Sequence, residues 1–204
     1  MGGTRGHWDK VYATKAETAV SWYQPRSARS LELIGAASPA RTASLIDVGG
    51  GASTLADDLL AQGFVDVMVL DIAESALERS KARLGANAGK VAWIVADITL
   101  WRPHRTWDIW HDRAVFHFLV EPAGQDAYIA ALTGATRPGA TVIIATFALD
   151  GPDECSGLPV QRYSADTLAA RLGPAFRLTT RAREMHKTPW GSEQRFSYAV
   201  LARR

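Results

Sequence analysis

Between residues 43 and 147 the chain alternates short apolar runs with stretches of helical spacing. Ala43–Val48 is an apolar run that ends in glycines, and it reads as a strand. Ser53–Gln62 follows with Leu55, Leu59 and Leu60 at helical spacing and Gly63 as its C-cap. Val65–Leu70 and Val91–Val95 are further strands, separated by a helix over Glu74–Leu84 that Gly85 stops. Trp107–His111 is a fourth strand, Gln125–Thr133 a helix and Ala140–Phe147 a fifth strand rich in β-branched residues. These strands are continuously apolar, as strands buried on both faces are. Strand and helix in alternation predict right-handed crossovers, an open parallel sheet and helices on both faces. The last forty or so residues depart from this rhythm: Ser164–Leu172 is helical, and Phe176–Glu184 and Gln194–Ala202 are strand-like. Only a Pro189-Trp190-Gly191 turn separates those two, which predicts an antiparallel hairpin. Ahead of the sheet lie a helix over Ser27–Ala37 and an aromatic-rich lead with Trp8, Tyr12, Trp22 and Tyr23.

Composition narrows the class. The 204 residues suffice for one domain with a full core, and 47% hydrophobic with 22% charged residues excludes a disordered chain. A net charge of +2 argues against a dedicated nucleic-acid binder. A single cysteine, Cys155, excludes an internal disulfide and any multi-cysteine zinc site, and no metal is expected. No stretch approaches the roughly 20 apolar residues of a membrane span. Met1–Lys10 has no apolar run of a secretory signal, and Gly6 stands where myristoylation favours Ser or Thr. The expectation is a soluble cytoplasmic protein, a monomer or weak homodimer, with no nucleic-acid or membrane partner.

Candidate chemistry gathers where strands end. Leu45-Ile46-Asp47-Val48-Gly49-Gly50-Gly51-Ala52-Ser53 runs from an apolar strand through a glycine turn to a helix start. Glycines there allow a tight turn and close approach of a ligand to the backbone, although a turn alone would also use them. Asp71 ends the next strand, about twenty residues on, where nucleotide-binding folds place the carboxylate that holds ribose hydroxyls. Asp97 ends the third strand; it can accept from an exocyclic amine, and Ile98 beside it offers an apolar edge for a base. Asp108 and Asp112 flank the fourth strand. Ligands of open α/β sheets bind at this carboxyl edge. The loop also discriminates between cofactors. Thr54 stands where a dinucleotide fingerprint places its third glycine, and Asp47, two residues before Gly49, would repel a pyrophosphate. It would welcome a cofactor with a free ammonium and no phosphate, which describes S-adenosylmethionine.

These residues resemble class I S-adenosylmethionine-dependent methyltransferases, over the chain from about Trp8 to the C-terminus. Asp47-Val48-Gly49-Gly50-Gly51 is similar to the family's first motif, with Ser53 where many members carry a further glycine. Asp71-Ile72 resembles its ribose-binding acid and Asp97-Ile98 its adenine-binding pair. Trp107-Asp108-Ile109-Trp110-His111-Asp112 resembles the fourth motif, which faces the methyl group, and Arg137-Pro138-Gly139 the turn before the fifth strand. The resemblance implies a Rossmann-like sheet of seven strands, the last antiparallel. It implies a cofactor site of Trp22, Asp47, Gly49, Gly50, Gly51, Ser53, Asp71, Ile72, Asp97, Ile98 and Asp112. Two subfamilies look closest. Asp112-Arg113-Ala114-Val115 is similar to a run in thiopurine methyltransferase-like enzymes. Trp8-Asp9-Lys10-Val11-Tyr12, Ser21-Trp22-Tyr23 and Gly51-Ala52-Ser53-Thr54-Leu55 resemble the elongation-factor lysine methyltransferases. Ala114 stands where each carries a glycine.

The acceptor side rests on single residues. His117 is the candidate base, or a histidine packed among Phe116, Phe118 and Leu119; His111 reads as structural. Arg113 can orient an anionic acceptor or pair with a nearby acid. Trp22 and Tyr23 can lie over the sulfonium or pack in the core. Cys155 sits in a Gly151–Pro159 loop with nothing basic adjacent, Tyr163 is a candidate wall of the acceptor pocket, and Trp190 reads as a surface aromatic. The expected organisation is one methyltransferase domain: an N-terminal lid over 1–40, a cofactor core over 41–150 and an acceptor side over 151–204. The expected activity is methyl transfer to a small-molecule acceptor. A protein lysine acceptor, a cofactor-binding protein without turnover and a nicotinamide-dependent oxidoreductase are the alternatives.

Overall fold

The structure, a computed structural model, describes residues 4–37 and 39–204. The Met1-Gly2 start that bears on myristoylation lies outside them. The N-terminal helices are α1 (Arg5–Thr14) and α2 (Ala28–Ala36). Then come β1 (Leu45–Val48), α3 (Leu55–Ala61), β2 (Val67–Asp71), α4 (Glu74–Leu84), β3 (Val91–Val95), β4 (Trp107–Arg113), α5 (Pro122–Ala135) and β5 (Thr136–Phe147). A short hairpin of β6 (Glu154–Cys155) and β7 (Leu158–Pro159) precedes α6 (Ala165–Leu172), β8 (Phe176–Lys187) and β9 (Glu193–Arg203).

Seven strands form one sheet in the order β3-β2-β1-β4-β5-β9-β8. The first five are parallel, and β9 runs antiparallel between β5 and β8. This is the expected Rossmann-like sheet with its terminal hairpin. The order reverses at β1, so the carboxyl ends of β1, β2 and β4 open onto one crevice. Side chains alternate across the sheet, and the alternation sorts the core in two. Ile46, Val48, Met68, Leu70, Trp110, Val142 and Ile144 pack against α5 and α6 through Tyr128, Leu132, Leu168 and Leu172. Leu45, Val67, Val69, Ile109, Ile143 and Phe147 pack on the other face against α2, α3 and α4 through Leu31, Ile34, Leu59 and Leu77.

Three departures from the expected elements have local causes. The aromatic lead contains α1, which Thr4 caps by accepting from the His7 backbone N–H at 3.4 Å. Trp8, Val11 and Tyr12 stand at helical spacing within it, a signal present in the sequence. Arg137-Pro138-Gly139 is not a separate turn. It is an irregular first part of β5, where Gly139 has φ 92° and the register to β4 shifts between Trp107 and Ile109. The Gly151–Pro159 loop folds on itself as β6 and β7. Among the described residues no helix is long and apolar enough to cross a membrane.

Candidate functional site

β1 delivers its chain into the glycine loop, whose shape depends on having no side chains. Gly49 has φ 68°, and a Cβ there would strike the Val115 side chain. A Cβ on Gly50 would run into the Asp47 carboxylate and would lie 2.7 Å from Val69 Cγ1. Asp47 is buried, and its Oδ1 lies 2.7 Å from Nδ1 of His111, the residue paired with it on β4. His111 Nε2 lies 2.8 Å from the Ser30 hydroxyl of α2. One oxygen of Asp47 is thus anchored and the other faces the loop. Ser53 Oγ accepts from the Leu55 N–H at 3.1 Å and holds the start of α3. Arg83, unremarked in the sequence, clamps the loop from α4 by donating to the carbonyls of Ala52 at 3.0 Å and Ser53 at 2.6 Å and to the Asp57 carboxylate.

Asp71 and Asp97 end neighbouring strands, and both face the main cavity. Asp71 Oδ1 accepts from the Ala73 N–H at 2.8 Å, with further backbone donors at Gly51 and Ile72. Burial, helped by the nearby Asp47 charge, pushes its pKa up to about 7 against those donors. Asp97 Oδ1 accepts from the Thr99 N–H at 2.9 Å and the Thr99 hydroxyl at 2.7 Å. In both aspartates one oxygen is tied to the turn that follows the strand. Ile72 and Ile98 stand beside them on the cavity wall.

Not every expected site residue lines the cavity. Asp112 does not line the cavity: it is wholly buried and accepts from Tyr128 Oη at 2.6 Å, Val115 N–H at 2.8 Å and Phe116 N–H at 3.1 Å. Burial pushes its pKa up to about 6, against the Tyr128 and backbone donors. It stands next to His111 on β4, so alternation sends it to the opposite face, toward α5. Its part is to fold the loop after β4. His117 also misses the cavity. It is wholly buried, edge-on to Phe118 and Phe147 at 4.5 and 4.8 Å, and its Nδ1 accepts from the Phe147 N–H at 3.3 Å. Burial and the charge of Arg113 lower its pKa to about 3, so it is neutral, and its place off the cavity keeps it from an acceptor held there. Tyr163, too, turns away from the cavity, where its hydroxyl accepts from Gln125 Nε2 at 3.0 Å. Trp190 is 60% exposed, as expected of a surface aromatic.

The roof comes from the N-terminal segment. Trp8, Tyr12 and Trp22 line the cavity and meet edge to face, with Trp8–Trp22 at 5.8 Å and Trp8–Phe118 at 5.0 Å. Asp9 ties α1 down by accepting from the Ser75 hydroxyl at 2.9 Å, at the start of α4. Arg113 lies on the wall but is engaged. It reaches Glu184 Oε2 at 3.3 Å and Tyr198 Oη at 3.2 Å, and stacks over Phe196 at 4.1 Å. Burial works to raise the Glu184 pKa; Arg113 and the Tyr198 and Gln24 hydrogen bonds outweigh it and hold the carboxylate below its usual range. The acid for Arg113 thus comes from β8, far off in sequence. Ala114 holds φ 75°, a left-handed conformation that suits glycine.

The cavity encloses about 790 Å³, within the range of small-molecule sites. It crosses the sheet's carboxyl edge from Asp97, two residues past β3, to Gln194 and Phe196 on β9. A pouch of about 60 Å³ adjoins it, lined by Asp47, Gly50, Ser53 and His111, with Gly49, Tyr12, Trp22 and Arg113 common to both. One end therefore offers carboxylates and apolar edges to a nucleoside, the pouch a carboxylate to a cation, and the β5–β9 end an aromatic chamber.

The family model described as a methyltransferase domain matches residues 46–142. No curated protein sequence matches the chain. Among solved structures, the N-methyltransferase NodS from Bradyrhizobium japonicum WM9 with S-adenosyl-L-homocysteine is similar, with a TM-score of 0.75, 13% identity and coverage of 98% of this chain and 99% of that one. The 1,6-didemethyltoxoflavin-N1-methyltransferase from Burkholderia thailandensis is similar at a TM-score of 0.70, 19% identity and coverage of 98% and 87%. A structure described for the conversion of a disulfide bond into a thioacetal group during echinomycin biosynthesis has a TM-score of 0.76, 19% identity and coverage of 96% and 90%. The chain shares their fold.

Proposed function

We propose that this protein is an S-adenosylmethionine-dependent methyltransferase acting on a small-molecule acceptor. The observation that carries the reading is the pair Asp71 and Asp97 on adjacent strand ends, each with one oxygen held by its own turn, facing a single cavity beside a glycine cradle. The residues fit the cofactor. Asp71 accepts from ribose hydroxyls, and Asp97 accepts from the adenine amine between Ile72 and Ile98. The free oxygen of Asp47 and the backbone of Gly49 and Gly50 hold the amino-acid end, while Gly51 is committed within the loop, its N–H to Asp71 and its carbonyl to the Ser80 hydroxyl. Bound there, the cofactor supplies a sulfonium methyl open to in-line displacement.

The chain's own part is orientation and exclusion of water. Trp8, Tyr12 and Trp22 act as a lid, and Phe118, Phe147 and Phe196 keep the acceptor end dry. Among the described residues no histidine lines the main cavity, and burial holds the Cys155 thiol up at about 11. The bases left on the wall are the carboxylates of Asp71, Asp97 and Glu121. Isothermal titration with S-adenosylmethionine and S-adenosylhomocysteine tests the reading. Micromolar binding, weakened in Asp71→Ala, is the expected result. No binding, or an Asp71→Ala variant that binds like wild type, would sink it.

A further inference from the structure

Arg83 reaches the site without facing it. α4 carries Ser75, Arg79 and Arg83 four residues apart, on one face, and each holds a successive part of the N-terminal segment. The Ser75 hydroxyl donates to Asp9 at 2.9 Å. Arg79 donates to the carbonyls of Tyr12 and, at 2.8 Å, Lys15. Arg83 donates to the Glu17 carboxylate. Arg83 also turns to the chain that leaves the glycine loop, where it holds the Ala52 carbonyl at 3.0 Å and the Ser53 carbonyl at 2.6 Å. Asp57 of α3 grips the guanidinium through both oxygens, at 3.1 and 2.9 Å. One side chain thus ties the lid segment, the loop and α3 to α4.

Three of these partners share a place. Ala52, Ser53 and Glu17 belong to the wall of the pouch and not to that of the main cavity. Arg83 therefore fixes two sides of the pouch at once, one from the loop and one from the lid segment. In a space of about 60 Å³ a small shift of either side decides what fits. Arg83 acts on charge as well as on position. Asp47 already gives the pouch a carboxylate for an ammonium group. An unpaired Glu17 would add a second and repel the carboxylate that an amino-acid end also carries. Paired with Arg83, that charge is offset. The planar fork suits the task, because an ammonium group is a single point and cannot span two carbonyls and two carboxylates. Ser80 holds the Gly51 carbonyl independently at 2.8 Å, so the part of the loop next to Asp71 does not depend on Arg83. We propose, resting on the methyltransferase reading, that Arg83 is a positioning residue for the cofactor's amino-acid end: it sets the Ala52–Ser53 backbone and the Glu17 carboxylate that shape the pouch, and leaves the nucleoside to Asp71 and Asp97.

Methylthioadenosine tests this, because it carries the adenosine and sulfur of S-adenosylhomocysteine with a methyl group in place of the amino-acid chain. Both ligands are titrated by calorimetry into wild type, Arg83→Met and Arg83→Lys. Arg83→Met is expected to weaken S-adenosylhomocysteine about tenfold, the order of effect when hydrogen bonds to a charged group are lost, and to leave methylthioadenosine affinity unchanged. Arg83→Lys keeps the charge without the fork and is expected to recover part of the loss. A thermal melt shows which variants fold, and if Arg83→Met does not, Arg83→Lys carries the same comparison of the two ligands. Unchanged S-adenosylhomocysteine affinity in the folded variant would overturn the proposal. So would an equal loss for both ligands, which is what a general loosening of the fold produces. Wild type that binds neither ligand sinks the methyltransferase reading and the proposal with it. Wild type that binds both, with variants that do not discriminate, sinks the proposal alone.

Discussion

The ends of β2 and β4 flank β1, and each carries an aspartate that the fold buries. The two look alike in sequence, at or beside the close of an apolar strand. Their surroundings differ. Asp71 lines the cavity, and among the described residues its donors are backbone N–H groups of its own turn and of the glycine loop. Asp112 spends both oxygens inside the protein, on Tyr128 and on the backbone of the loop that leads to Phe116. Alternation along the strand is the cause. Asp71 stands in phase with Val67 and Val69 and looks toward α1 and the glycine loop, whereas Asp112 stands in phase with Trp110 and looks toward α5. A buried carboxylate with spare capacity is built for a ligand, and one that is fully satisfied is built for a loop.

The contrast has measurable consequences. Asp112→Ala leaves Tyr128 and two backbone donors without their acceptor, and the expected loss is about 3–5 kcal/mol of unfolding free energy in urea. A loss below about 1 kcal/mol would erase the distinction from Asp71. Asp71→Ala is expected to weaken cofactor binding by about 1–3 kcal/mol in calorimetry, and to cost the ligand-free protein less stability than Asp112→Ala, because only backbone donors of the adjoining turns lose their acceptor.

Acidity separates the two as well. Burial raises Asp71 from 3.8 to about 7, so its protonated form stabilises the ligand-free fold at low pH. That contribution is complete below the unfolded value and is lost as pH rises through about 7. Cofactor affinity runs the other way, because the ionised carboxylate is the better acceptor for ribose hydroxyls; it is expected to rise over the same interval. Asp112, pushed up to about 6, adds to the stability slope and not to the affinity slope. Calorimetry and thermal melts across this range check both, and Asp71→Asn is expected to flatten the affinity profile. The smallest effect belongs to Ala114, beside Arg113 on the cavity wall. Its φ of 75° is costly for any residue with a Cβ, and Ala114→Gly is expected to stabilise the protein by about 1 kcal/mol in urea.

Much of this was legible. The five parallel strands, the glycine turn, the acids at Asp47, Asp71 and Asp97 and the terminal hairpin all follow from local pattern. The acceptor side was less so. His117 sits in the sequence where a base would, yet its ring is sealed between Phe118 and Phe147, and Phe147 comes from another strand. Arg113 finds Glu184 across 71 residues of chain.

Local spacing thus settles the sheet, the crossovers and the cofactor-facing edge, because periodicity and turn residues act over a few positions of chain. It does not settle which face each strand shows to which layer. β1, β2 and β4 are buried on both faces, so their runs carry no inside-outside alternation to read. Packing against α5 on one side and α1 and α2 on the other made Asp112 an anchor and left Asp71 open.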